Sequence, residues 1–145
     1  MKKIPISTQS IIYVKGGGIL LLQRKDNPLY WQSITGSIEV NENPRECAIR
    51  EIMEETGLDA NKHHFFSLLD TSQYQIFPEW RPRYSDNVFT NIEHLFALQL
   101  KKEENIVLNK DEHLKYQWVS IEEAIKKVFS WTNRNALINF KNIYE

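Results

Sequence analysis

Apolar residues recur along the chain at two spacings, and most stretches end on a recognisable stop. Residues 9–14 and 19–24 are apolar-rich runs of strand length joined by Gly16-Gly17-Gly18, and they read as a hairpin with the glycines in the turn. Three successive glycines would also suit a phosphate-cradling loop, but no helical pattern follows them, which favours the turn. Residues 31–38 read as a short strand and bend ending near Gly36. Residues 44–56 read as a helix, with Pro44 suited to its first turn and Gly57 to a left-handed stop. Residues 65–77 alternate enough for one or two strands, 77–87 form a long loop, and 88–100 and 115–119 are further strands. Ser120 caps a helix over 121–128, with Glu123 at the capping-box position. A last helix over 132–143 carries Ala136, Leu137, Phe140 and Ile143 on its apolar side. Strands and helices mix without regular alternation, so the expected class is α/β with a mixed sheet flanked by helices.

The 145 residues fit one domain, 1–145, and carry no repeat, low-complexity tract or linker. A net charge of -1 argues against a nucleic-acid binder but leaves room for a local basic pocket. Cys47 is the single cysteine, so no internal disulfide can form, which suits a reducing compartment. No apolar signal core follows Lys2, Lys3 and Pro5, and the apolar run 19–22 is too short to span a bilayer. These features predict a cytoplasmic protein with neither nucleic-acid nor membrane partners. They do not settle its oligomeric state.

The helix over 44–56 carries the chemistry. At about 100° per residue, Glu51, Glu54 and Glu55 share an arc of about 100°, with Cys47 in its middle. Ala48, Ile49, Ile52 and Met53 fall on the other side, where they are expected to face the core. Like charges three and four residues apart repel, and a hard divalent cation would offset that, because Mg²⁺ and Mn²⁺ prefer oxygen ligands. The alternative is a solvated acidic face with Arg50 paired to Glu54. A small residue at Cys47 would leave room for hydrated metal and diphosphate, and a thiolate there would make the protein sensitive to soft metals.

The spacing decides between these readings. Residues 36–58 match Gly-x5-Glu-x7-Arg-Glu-U-x-Glu-Glu-x-Gly-U at every position, where U is a bulky apolar residue, here Ile52 and Leu58. Such a match arises by chance on the order of once in a million chains of this composition. The segment resembles the Nudix box. The resemblance implies a Nudix-type α/β/α sandwich with a loop-helix-loop catalytic motif, which hydrolyses a nucleoside diphosphate linked to another group. Expected roles are metal binding by Glu51 and Glu55, added charge or a water-mediated contact from Glu54, and orientation of a carboxylate by Arg50. Gly36 and Gly57 would allow backbone bends, and Glu42 would brace the loop.

Outside the box, Leu22-Gln23-Arg24, residues 31–39, Arg83-Tyr84, residues 91–96, Glu112 to Trp118 and Ser130 to Arg134 are similar to bacterial dihydroneopterin triphosphate pyrophosphatases of folate synthesis. That resemblance implies a small-molecule triphosphate substrate and Mg²⁺, with Mn²⁺ as an alternative cation. It adds Glu112 to Glu51 and Glu55 as metal ligands, so that Arg50, Glu51, Glu54, Glu55 and Glu112 form the catalytic group. It places Lys3, Arg24, Thr35, Tyr74, Gln75, Ile76, Phe77 and Ser130 against substrate. Ser130 also suits the cap of the last helix, and Tyr74 and Phe77 also suit the core. Asn41 stands where the family often has glycine, and asparagine tolerates a left-handed turn. Trp80, Arg81 and Tyr84 are expected to close over substrate, and His63, His64, His94 and His113 to be structural. Two other functions stay open: a housecleaning hydrolase of (deoxy)nucleoside triphosphates and a non-catalytic ligand sensor.

Overall fold

The structure, a computed structural model, describes residues 2–144. Its elements in chain order are β1 (Ile6–Val14), β2 (Ile19–Arg24), β3 (Trp31–Gln32), β4 (Ile34–Ser37), α1 (Pro44–Thr56), β5 (His64–Gln75), β6 (Thr90–Leu100), β7 (His113–Val119), α2 (Ile121–Lys127) and α3 (Trp131–Tyr144). Short 3-10 turns occupy Ala60–Lys62 and Pro78–Arg83, the second inside the expected long loop.

The strands form one seven-stranded mixed sheet. β1 runs parallel to β6 along its whole length, from Ile6 opposite Ile92 to Val14 opposite Leu100. On its other edge β1 meets β2 only beside the glycine turn, where Tyr13 faces Ile19. Farther along, residues 31–37 cross from one strand to the other, β3 pairing with β2 and β4 with β1. The expected single strand and bend at 31–38 is therefore two short strands with Ser33 at the crossing. There Asn133 takes the place of a strand partner. Ser33 N–H donates to Asn133 Oδ1 at 2.9 Å, and Asn133 Nδ2 donates to Ser33 Oγ at 3.0 Å.

Each face of the sheet carries a core. Ile12, Leu20, Leu22, Ile34 and Leu98 pack with Ile52 of α1, while Ile11, Ile19, Leu21 and Leu95 pack with Ala124 of α2 and with Leu137 and Phe140 of α3. Strand side chains alternate between faces, so adjacent Ile11 and Ile12 serve opposite cores and the central strands read as unbroken apolar runs. The result is the expected α/β/α sandwich. Met53 is 46% exposed and Ile143 69% exposed, so neither joins the apolar face predicted for it. Both sit at the margins of their helical stripes.

Asn43 and Glu46 form a reciprocal capping box at the start of α1, and Gly57 ends it with φ 77°. Asn41 has φ 66°, the left-handed turn expected of it. No helix among the described residues is long and apolar enough to cross a membrane.

Candidate active site

Arg50 ties the loop before α1 to the helix. Its Nε and Nη2 donate to the two oxygens of Glu42, at 2.8 and 3.0 Å, and Nη2 donates to the Ser37 carbonyl at 3.1 Å. Nη1 donates to Glu51 Oε1 at 2.7 Å and lies 3.3 Å from Glu54. Glu42 also accepts the Glu39 N–H at 3.0 Å, which closes the loop. The Glu42 carboxyl is held below its usual range, first by its hydrogen bond to Arg50. Glu51 goes the other way: burial pushes it up to about 7, against the pull of Arg50.

Glu51 reaches the cleft across β4 at Gly36. A β-carbon on Gly36 would overlap the Glu51 side chain, and the φ of Gly36 is not in the left-handed region. The expectation that Gly36 supplies a backbone bend is thus corrected; it supplies room.

Glu55 is buried, as is His113 at the start of β7. Glu55 Oε2 and His113 Nδ1 lie 2.6 Å apart but off line for a hydrogen bond, and neither atom has another partner. Burial opposes ionisation of Glu55, yet its contacts with His113 and Glu112 outweigh that and hold its pKa down. Glu112 is pushed up, first by its contact with Glu55 and then by burial. Ligand atoms of Glu55, Glu112 and His113 lie within 4.8 Å of one another, which makes them a candidate cation site. An oxygen-rich set holding a buried carboxylate oxygen with no in-line donor suits a hard divalent cation. Two of the three expected ligands meet here. Glu51 stands outside this cluster, its Oε1 turned to Arg50. His113, expected to be structural, lies in the cluster, because β7 begins two residues before the predicted 115 and brings it against Glu55.

A cleft of about 1120 Å³ opens over Arg50, Glu51, Glu112 and His113 and is lined also by Lys3, Arg24, Thr35 and Ser130. Arg24 is bidentate to Asp26 at 2.8 and 2.7 Å, donates to Gln32 Oε1 at 3.1 Å and stacks 4.6 Å over Trp80. Burial, then the nearby Arg83 charge, pushes the Lys3 pKa down. Ser130 both lines the cleft and accepts the Asn133 N–H at 3.1 Å near the start of α3. Tyr74, Phe77, Trp80 and Phe129 form an aromatic wall, with the Phe77 and Trp80 rings parallel at 5.1 Å and Phe129 edge-on to both.

Three expectations fail here. Gln75 is exposed and Ile76 buried, and neither lines the cleft, because successive residues at the end of a strand cannot all face one way. Arg81 lies 4.1 Å over the Phe89 ring, outside the cleft, whereas Trp80 and Tyr84 line it. Cys47 is fully buried against Thr8, and burial pushes its thiol up to about 11, so it offers no thiolate to soft metals.

A NUDIX domain model matches residues 4–140. The chain belongs to this family. It is 38% identical to a dihydroneopterin triphosphate diphosphatase of Escherichia coli over 142 residues, covering 95% of this chain and 93% of that protein. It is 38% identical to one from Haemophilus influenzae, covering 88% of this chain and 81% of that one. The solved structure of the E. coli dihydroneopterin triphosphate pyrophosphohydrolase superposes with a TM-score of 0.90 at 37% identity, covering 97% of both chains.

In this Nudix chain the cleft also reaches a buried polar group that sequence reasoning missed. Asn133 Nδ2 donates to Gln9 Oε1 at 3.1 Å, and Gln9 Nε2 donates to Glu93 Oε1 at 2.9 Å. Burial pushes the Glu93 carboxyl up to about 7. Its one sequence signal is an acid inside a strand that also carries Asn91, His94 and Gln99, a pattern that equally describes solvent-facing positions.

Proposed function

We propose that this Nudix hydrolase cleaves dihydroneopterin triphosphate to dihydroneopterin monophosphate and pyrophosphate, with Mg²⁺ as its cation. The observation that carries this reading is the likeness to diphosphatases of that substrate along nearly the whole chain, flanking segments included. The cleft supports it by having two chemically different parts, one acidic and cationic, the other aromatic with buried polar groups.

Glu55 and Glu112 would hold the cation beside His113, and Glu51, held by Arg50 and facing the same cleft, would turn its second carboxylate oxygen to it as the third ligand. When bound, the cation neutralises phosphate oxygens and lowers the pKa of an attacking water. Lys3 and Arg24 line the same cleft and supply positive charge toward the phosphate chain. Gln32 and Asp26 hold the Arg24 guanidinium in one orientation, so little freedom is left to lose on binding. Trp80, stacked beneath that guanidinium, extends the aromatic wall toward the phosphates.

Phosphorus NMR of the products tests the reaction. Pyrophosphate and a monophosphate are expected; orthophosphate with a diphosphate would contradict it. (Deoxy)nucleoside triphosphates as preferred substrates would move the protein to the housecleaning reading.

A further inference from the structure

The polar groups around Glu93 have a direction. A backbone N–H can only donate, so the Ser33 N–H fixes Asn133 with its oxygen toward β3 and its Nδ2 toward Gln9. Gln9 must then turn its oxygen to Asn133 and its Nε2 to Glu93. Glu93, which is 3% exposed and lines the cleft, closes the chain as an acceptor. Thr132 lies beside the same carboxylate and favours its charged form. A carboxylate offers about four acceptor positions, and the Gln9 donor leaves others free.

Such a buried carboxylate is costly unless something repays it. The core does not require it: Leu95 and Ala97, farther along the same face of β6, are apolar. Tyr74 pairs with Asn91, two residues before Glu93 on β6, so its ring lies on the same face of the sheet as the carboxylate and both line the cleft.

We propose that Glu93 is the specificity-determining residue of the cleft, accepting the two adjacent N–H donors on the 2-amino-4-oxo-pyrimidine edge of a fused bicyclic ring. Gln9, Thr132 and Asn133 hold it in place, and the Tyr74 and Phe77 side supplies the apolar wall for the ring. The inference rests on the proposed pterin substrate and names how that ring is read. The edge is shared by pterin and guanine, so Glu93 selects the edge, and the wall and cleft shape select the ring.

The test is a binding titration of the whole protein with pterin, lumazine and guanosine, without phosphates or metal. Lumazine carries a carbonyl where pterin has its 2-amino group, and so presents an acceptor to the carboxylate. Hydrogen bonds to a charged group of this kind predict that pterin binds on the order of 10–100-fold more tightly than lumazine. Glu93→Gln should bring the two affinities together, and Glu93→Asp, which keeps the charge but withdraws it, should weaken pterin binding too. Equal affinity of the unaltered protein for pterin and lumazine overturns the proposal, whatever the variants do. Guanosine binding as tight as pterin would uphold edge reading and overturn pterin as the preferred ring. Selection of pterin over lumazine without turnover of dihydroneopterin triphosphate would sink the proposed substrate and leave the role of Glu93 standing.

Discussion

Glu51 lies across Gly36 so closely that no β-carbon fits between them. The helix that carries the box and the strand that opens it are thereby set to one spacing. Gly36→Ala should displace the outer part of Glu51, which can swing at little cost in stability, while moving the carboxylate out of place. A displacement of this kind costs on the order of 100-fold in kcat, with unfolding free energy changed by less than about 1 kcal/mol. Steady-state kinetics and urea denaturation of the same variant check both halves.

The acidic cluster predicts stabilisation by its cation. Glu55 and Glu112 contact each other, and a divalent ion would relieve their repulsion. Mg²⁺ at about 100 times its Kd should stabilise the protein by about 2.7 kcal/mol. Glu55→Gln should abolish most of the rise in Tm, and EDTA should reverse it. A Tm indifferent to Mg²⁺ would contradict the site.

Asn133→Ala removes the acceptor of the Ser33 N–H and the donor to Gln9 together. Leaving these buried groups unpaired should cost about 2–4 kcal/mol by urea denaturation. Weakened pterin binding should accompany the loss.

Glu93 predicts a pH-dependent difference. Its folded pKa, about 7, is above the ordinary 4.5, so its protonated form is favoured on folding. The stability it supports is full below pH 4.5, falls as pH rises to about 7, and is flat beyond. Glu93→Gln should lack this component, which by the size of the shift amounts to at most about 3 kcal/mol. Unfolding of both proteins at pH 4.5 and 8 measures it.

The box helix was legible because Pro44 and Gly57 punctuate it and its carboxylates follow helical spacing, and the central strands because their apolar runs are bounded by turn residues. What escaped depends on contacts distant in sequence. Ser33 breaks a strand because Asn133, 100 residues away, supplies its partner. His113 joins the acidic cluster through the exact start of β7, and strand ends are poorly marked by composition. The family resemblance places the whole segment 74–77 against substrate, while the strand turns Tyr74, Gln75 and Ile76 different ways. Cys47 shares the helical arc of the carboxylates, yet β1 and β4 cover the helix at its position, as its contacts with Thr8 and the Gly36 carbonyl show.

The most direct test of the account compares kcat/KM for dihydroneopterin triphosphate with those for a panel of nucleoside triphosphates under Mg²⁺, with Glu55→Gln as control. A preference for the pterin of at least about tenfold, abolished together with turnover in the variant, is the expected result. A flat profile across the panel, or full activity in Glu55→Gln, would contradict it.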